Sequence, residues 1–155
     1  MRRGASVIVA LALSFAAMPA ASQDPEFLRQ VGVDGRNAML DRMDRMMCGS
    51  AMCAPASDEE RASPPVTDEE ASIIAAVAVV SAISEHCGLA WQERSFLPMM
   101  AHWRSEPDAT VRRIALIGAT HGYVQGQALE AFQASGECDE QTRAAAQSLL
   151  DQTRD

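Results

Sequence analysis

Residues 73–83 read IIAAVAVVSAI, and a helix of that composition has almost no polar face. Ile73, Ile74, Val77, Val80 and Ile83 recur at helical spacing, with small residues between most of them. A helix that is apolar nearly all round belongs inside a bundle, with neighbours on more than one side. Thr67 and Glu70 upstream have capping-box spacing, and Asp68 and Glu69 suit the positive end of the helix dipole. Gly88, just past Cys87, marks the end. The pattern predicts one central helix and a fold built around it.

Downstream, Ser95 is placed to cap a short helix, FLPMMAHWRSE, with Pro98 in its first turn and Pro107 ending it. Asp108 then opens the longest helix, 109–135, which Gly136 stops, and Asp139 caps a last one running through Leu149 and Leu150. The long helix carries Gly118, Gly122 and Gly126 at i, i+4 and i+8. Each interior glycine costs about 1 kcal/mol relative to alanine. Three on one face predict a neighbour packed unusually close, and the alanine-rich 72–84 helix is the natural one. The same stripe is also a possible homodimer seam, or a bare backbone against which a ligand lies. Arg112, Arg113, His121, Gln125 and Gln127 exclude a bilayer location for it.

Upstream, residues 26–47 read as one or two helical pieces broken near Gly32 and Gly35. Met39, Met43, Met46 and Met47 form one helical stripe there, with Asp41, Arg42, Asp44 and Arg45 on the opposite side and Gly49 as the stop. Residues 54–67, APASDEERASPPVT, have the composition of a surface linker. No segment after residue 22 shows the alternation of a strand. The organisation predicted is a segment 23–53 rich in methionine and cysteine, a linker 54–67 and a helical bundle 68–155. The fold class is all-α, four to five helices.

The chain opens MRRGASVIVALALSFAAMPAASQD. Arg2 and Arg3 form a positive n-region, residues 5–17 an apolar h-region, and Ala20-Ala21-Ser22 a cleavage signal, so residues 1–22 are expected to be removed as a signal peptide. The apolar part is too short for a comfortable membrane span. An exported chain holds its cysteines in an oxidising compartment, so Cys48, Cys53, Cys87 and Cys138 read as disulfides. Four cysteines allow three pairings. Cys48–Cys53 with Cys87–Cys138 is preferred, because the first closes a small local loop and the second clamps two helix ends.

Lysine is absent, and 13 arginines stand against 21 acids for a net charge of −8. Cleavage removes two arginines and no acids, which leaves −10 on 133 residues. Such a surface repels phosphate backbones and anionic headgroups, which argues against nucleic-acid binding and electrostatic membrane docking. It suits a secreted protein, in the periplasm of a Gram-negative cell, that meets another envelope protein.

Residues 39–53, MLDRMDRMMCGSAMC, offer a soft-metal set: Met39, Met43, Met46, Met47, Cys48, Met52 and Cys53. Thioether and thiolate sulfurs favour Cu(I), and Met99 with His102 could form a second pair of ligands. Against that, methionine at helical spacing is ordinary core filling, and exported cysteines pair with each other. Packing with a disulfide is the stronger reading, and no resident cofactor is expected beyond that possible Cu(I).

The sequence has no G-x-S-x-G elbow, H-E-x-x-H, phosphate loop or dinucleotide fingerprint, so no enzyme is expected. His86 and Cys87 are adjacent and point apart on a helix. His102, Trp103, His121 and Tyr123 are the remaining cluster worth following.

The half from Cys87 to Asp155, helices held by one bridge with a short helix after the second cysteine, resembles small periplasmic acid-stress chaperones in connectivity alone. No motif residue carries the likeness, and no family is claimed from it. It implies a holdase mechanism in which acid loosens the helices and exposes apolar surface. The leading reading is a secreted, non-catalytic helical binding protein. A Cu(I)-binding protein and an acid-stress holdase are the alternatives.

Overall fold

The computed structural model describes residues 24–153; the expected signal peptide, 1–22, lies outside them. The described chain runs α1 (Pro25–Leu40), a 3-10 turn (Met43–Arg45), β1 (Met47–Cys48), β2 (Ala51–Met52), α2 (Asp58–Ala62), α3 (Asp68–His86), a π-turn (Gln92–Phe96), α4 (Leu97–Ser105), α5 (Val111–Ser135) and α6 (Glu140–Gln152). It is a helical bundle braced by two disulfides, Cys48–Cys53 and Cys87–Cys138. The two strands are the one departure from all-α character, a two-residue antiparallel pairing that places Met47 opposite Met52 and Cys48 opposite Ala51. No helix among the described residues is long and apolar enough to cross a membrane.

α3 is the centre. The capping box at Thr67 and Glu70 is formed in both directions, and Gly88 takes φ +64° beyond its end. Its neighbours are α1, α5, α6 and the π-turn. The apolar residues fully enclosed are Ala71, Ile74, Ala75, Ala78 and Ala82, whereas Ile73 is half exposed. Small side chains face the neighbouring helices here, which lets their axes come close.

Glycine serves that closeness on α1 and not on α5. Gly32 and Gly35 do not break α1, which passes through both as one helix. A Cβ at Gly32 would overlap the Ala71 carbonyl and lie 2.9 Å from Ser72 N. One at Gly35 would meet Val124 Cγ2 at 2.8 Å. The predicted packing stripe at Gly118, Gly122 and Gly126 is corrected accordingly. Gly122 and Gly126 are exposed with nothing within 4 Å of a built Cβ, and Gly118 meets only the flexible end of Met100. α5 packs on α3 through Leu116, Ile117, Thr120, His121 and Val124 instead.

A helical glycine in open space carries its full propensity penalty. Gly122→Ala and Gly126→Ala should each stabilise the protein by about 1 kcal/mol. Thermal unfolding checks this, run beside sedimentation to ask whether either change alters the oligomeric state.

The stretch read as a linker is tied to the bundle. Ser57 and Glu60 form a second capping box that starts α2. Arg112 bonds Glu60 through Nε and Nη2 at 2.5 and 2.8 Å, and also donates to the Ala54 and Pro55 carbonyls. Arg113 donates to Pro65 O and to Glu70, and Arg36 to Val66 O and Asp68. A guanidinium has five donors in a rigid fork, so one arginine can hold a carboxylate and two carbonyls at once. Lysine could not do this, and the chain uses none.

The 91–105 region also differs from expectation. Ser95 does not cap a helix; the chain turns helically from Trp91 and winds as a π-turn into α4, with Ser95 buried at 2% exposure. α5 begins two residues later than predicted, capped by Thr110 rather than Asp108. Asp139 caps α6 as expected.

Candidate functional site

The methionine run is not one helical stripe. α1 stops at Leu40, and the chain then turns, so its sulfurs divide between two environments. Met39 and Met43 are buried in the main core cluster with Leu40, Cys53, Ile74, Trp103 and Leu116, and Met46 packs against it. Met47 and Met52 sit opposite each other on the hairpin, 54% and 55% exposed. Alternation along a strand explains the split between inward Met46 and outward Met47. Gly49, at φ +73°, opens the hairpin turn, and Val111, 58% exposed, lies against that turn.

Cys48 and Cys53 are bonded to each other, so neither offers a thiolate and both leave the predicted metal set. The hairpin therefore presents two thioethers on a locked backbone. Met99 is buried and His102 exposed, so that second pair does not converge. No three His, Cys, Asp or Glu side chains group to hold a metal ion among the described residues.

His102, Trp103, His121 and Tyr123 are not gathered into one site. His102 is exposed and lies 3.9 Å from Glu106. Trp103 is buried with the Arg113 guanidinium 5.2 Å over its ring, and Tyr123 packs beside Gly35. His121 does have a polar setting, with partners that the sequence reading passed over. Its Nε2 lies 3.0 Å from Ser81 Oγ, which lies 2.6 Å from Ser95 Oγ, which donates to Trp91 O at 3.0 Å. Ser81 and Ser84 are the polar residues inside an otherwise apolar stretch, a signal of this cluster in the sequence itself.

A serine 3.0 Å from a histidine has the spacing of a nucleophile and its base. Counting protons reverses that reading. Ser95 has one hydroxyl proton and gives it to Trp91 O, so Ser81 must donate to Ser95. Ser81 then has none left, and His121 Nε2–H must donate to Ser81. The imidazole is thus a donor to the serine rather than an acceptor from it, the wrong direction for activating a nucleophile. Both are also sealed, Ser81 at 0% and His121 at 1% exposure.

Burial pushes the His121 pKa down to about 4. Phe96 and Trp91 flank the ring, with centroids 4.8 and 6.4 Å away. Those rings favour an imidazolium by at most about 2 kcal/mol, which burial outweighs. An unfolded histidine protonates near 6.5, so the unfolded state takes up the proton first as pH falls. The neutral ring's contribution is fully present above pH 6.5 and lost as pH drops towards 4. The shift corresponds to about 3 kcal/mol. Glu60 behaves in the same sense at lower pH. The Arg112 guanidinium holds its carboxyl down to about 2, so that stabilisation is fully present above pH 4.5 and is lost progressively as pH falls from there to about 2.

A shallow open depression surrounds the Cys87–Cys138 bridge, lined by His86, Gly88, Gln133, Glu137 and Arg143. The ends of α3 and α5 meet there, and the His86 ring stacks on Phe132 at 6.3 Å. It sets one cation, Arg143, beside one anion, Glu137, and the bridge occupies both of its cysteines.

No protein-family model, curated protein or solved structure matches this chain.

Proposed function

We propose that this is an exported, non-catalytic binding protein that contacts an envelope protein through its cystine-locked hairpin. The observation that carries the reading is the placement of Met47 and Met52, exposed side by side on two-residue strands cross-linked by Cys48–Cys53. Methionine adapts to irregular apolar surfaces and is over-used at binding faces. A backbone fixed in advance lowers the ordering entropy lost on association. Val111 extends the patch, so the matching surface is an apolar cleft. Two disulfides and a leader of signal-peptide composition support an oxidising compartment outside the cytosol.

A second reading is favoured by the same register: paired thioethers are soft ligands for Cu(I). One set of variants separates the two. Met47→Leu with Met52→Leu keeps apolar surface and removes sulfur; Met47→Ser with Met52→Ser removes both. Native mass spectrometry of protein purified from its own envelope reports bound partner and metal together. Partner binding should survive the leucine pair and weaken at least about tenfold in the serine pair. Loss of bound Cu(I) in the leucine pair supports the metal reading instead. If both pairs carry the wild-type partner at wild-type occupancy, the hairpin is not the contact surface.

A further inference from the structure

We propose that Ser95, Ser81 and His121 form an acid-released latch, which docks residues 91–105 across α3 and α5 at neutral pH and frees them when the imidazole is protonated. The latch goes beyond the hairpin reading and does not depend on it.

The segment is suited to move as a unit. The π-turn and α4 form one continuous helical piece, joined to α3 by residues 87–90, which are exposed or half-buried beyond the disulfide-anchored Cys87, and to α5 by 106–110. Its underside is apolar: Phe96, Met99, Met100 and Trp103 all belong to, or pack on, the main core cluster. The polar tie to α3 and α5 is the directed chain His121 Nε2–H to Ser81, Ser81 to Ser95, Ser95 to Trp91 O. At the start of the segment Arg94 stays tethered to Asp151, and its carbonyl accepts from Thr153 Oγ1. A π-turn is uncommon, and such turns often mark functional positions in helices. On the segment itself, the Trp103 indole N–H is buried without a hydrogen-bond partner among the described residues. The interface is thus only partly satisfied even when closed.

Protonation must add its hydrogen at Nδ1, because Nε2 already carries one. Nδ1 makes no hydrogen bond to the described residues, so the added charge sits on a ring that burial keeps almost wholly from water in the closed state. No carboxylate is placed to rescue it. On α3, Glu85 accepts from Gln125, and His86 stacks on Phe132. On the π-turn, Arg94 pairs with Asp151 of α6, and Glu93 is exposed. On α4, His102 lies by Glu106 and Arg104 is exposed. On α1, which packs against α5 at Gly35, Asp34 accepts from Gln30 and Arg36 holds Asp68. Burial is the one cause acting on His121, and it drives the pKa down to about 4. Opening restores the ring to water near its ordinary value. The ratio of open to closed forms should therefore rise roughly fifty-fold between pH 7 and pH 4.5.

Release would uncover the methionine and aromatic underside of α4, which gives the acid-stress reading a physical basis. The chain's two tryptophans, Trp91 and Trp103, both lie in the moving segment, so intrinsic fluorescence reports it directly. The test follows tryptophan emission, binding of a hydrophobic dye and site-resolved hydrogen exchange from pH 7 to 4. Emission and dye binding should change together. Amides of residues 91–105 should exchange at least tenfold faster at pH 4.5 after correction for intrinsic rates, while those of α3 and α5 stay protected. His121→Gln keeps a donor to Ser81 but cannot titrate, and should abolish the change above pH 4. Ser95→Ala breaks the tie and leaves the imidazole, so it should move the change to higher pH and covers the case in which His121→Gln does not fold. A wild type silent to fluorescence and dye throughout, loss of protection in all helices together, or an unaltered transition in both variants would overturn the latch.

Discussion

Gly32→Ala should destabilise the protein by at least about 3 kcal/mol, the upper part of the range for overpacking a core. The obstacle is the Ala71 carbonyl and the Ser72 amide, both backbone, so no rotamer change relieves the overlap. α1 must move away from α3 instead. That displacement would also stretch the buried Arg36 bonds to Val66 O and Asp68, the latter 2.7 Å, and leave a guanidinium short of partners. Gly35→Ala should cost less, about 1–2 kcal/mol, because its obstacle is the Val124 methyl, a side-chain atom that can shift. Urea titrations of the two variants beside Gly126→Ala, which should gain stability, test the assignment. If all three alanines act alike, the close approach of α1 to α3 is wrong.

Removal of the Cys87–Cys138 bridge by alanine at both positions should cost about 4 kcal/mol in the chain-entropy model. It spans 51 residues and ties the end of α3 to the residue before the α6 cap. Cys87 is buried with Ile83 and Ala146, with Phe132 and Leu149 packed around them, a small cluster set apart from the main core. The Cys48–Cys53 bridge closes only five residues, and its loss should cost about 2 kcal/mol on the same model. Against a total stability of typically 5–15 kcal/mol, the first loss is severe and the second moderate. Denaturant midpoints of the two double variants, measured against a non-reduced control, should fall in that order. Equal losses would show that the long bridge does not clamp α3 to α6.

The sequence readings succeeded where one local signal dominated. The capping boxes, the glycine stops after α3 and α5 and the helical period of 73–83 each act within a few residues, and no tertiary contact had to be known. The disulfide pairing followed from loop size and helix ends. The readings failed where glycine or methionine had two uses. Gly32 and Gly35 read as breakers because nothing in the chain announces that Ala71 and Val124 will pack against them. Gly118, Gly122 and Gly126 have the better packing pattern and face the other way. Met39 to Met47 kept helical spacing past Leu40, where the helix stops and a hairpin locked by Cys48–Cys53 follows. Residues 54–67 looked like a linker because their partners, Arg36, Arg112 and Arg113, lie far away in the chain. The Ser81–Ser95–His121 chain was legible only in part. Polar Ser81 in an apolar helix is a local signal, but Ser95 also fitted a cap, and only the fold unites them.

The four cysteine sulfurs are joined as two particular pairs, and that pairing locks the hairpin, clamps α3 to α6 and removes thiolate from any metal site. Peptide mapping of the protein isolated from its host, alkylated at once and never reduced, measures this directly. The result predicted is two linked peptide pairs, Cys48 with Cys53 and Cys87 with Cys138, and no alkylated cysteine. Four alkylated cysteines, or crossed links between the two ends of the chain, would contradict it.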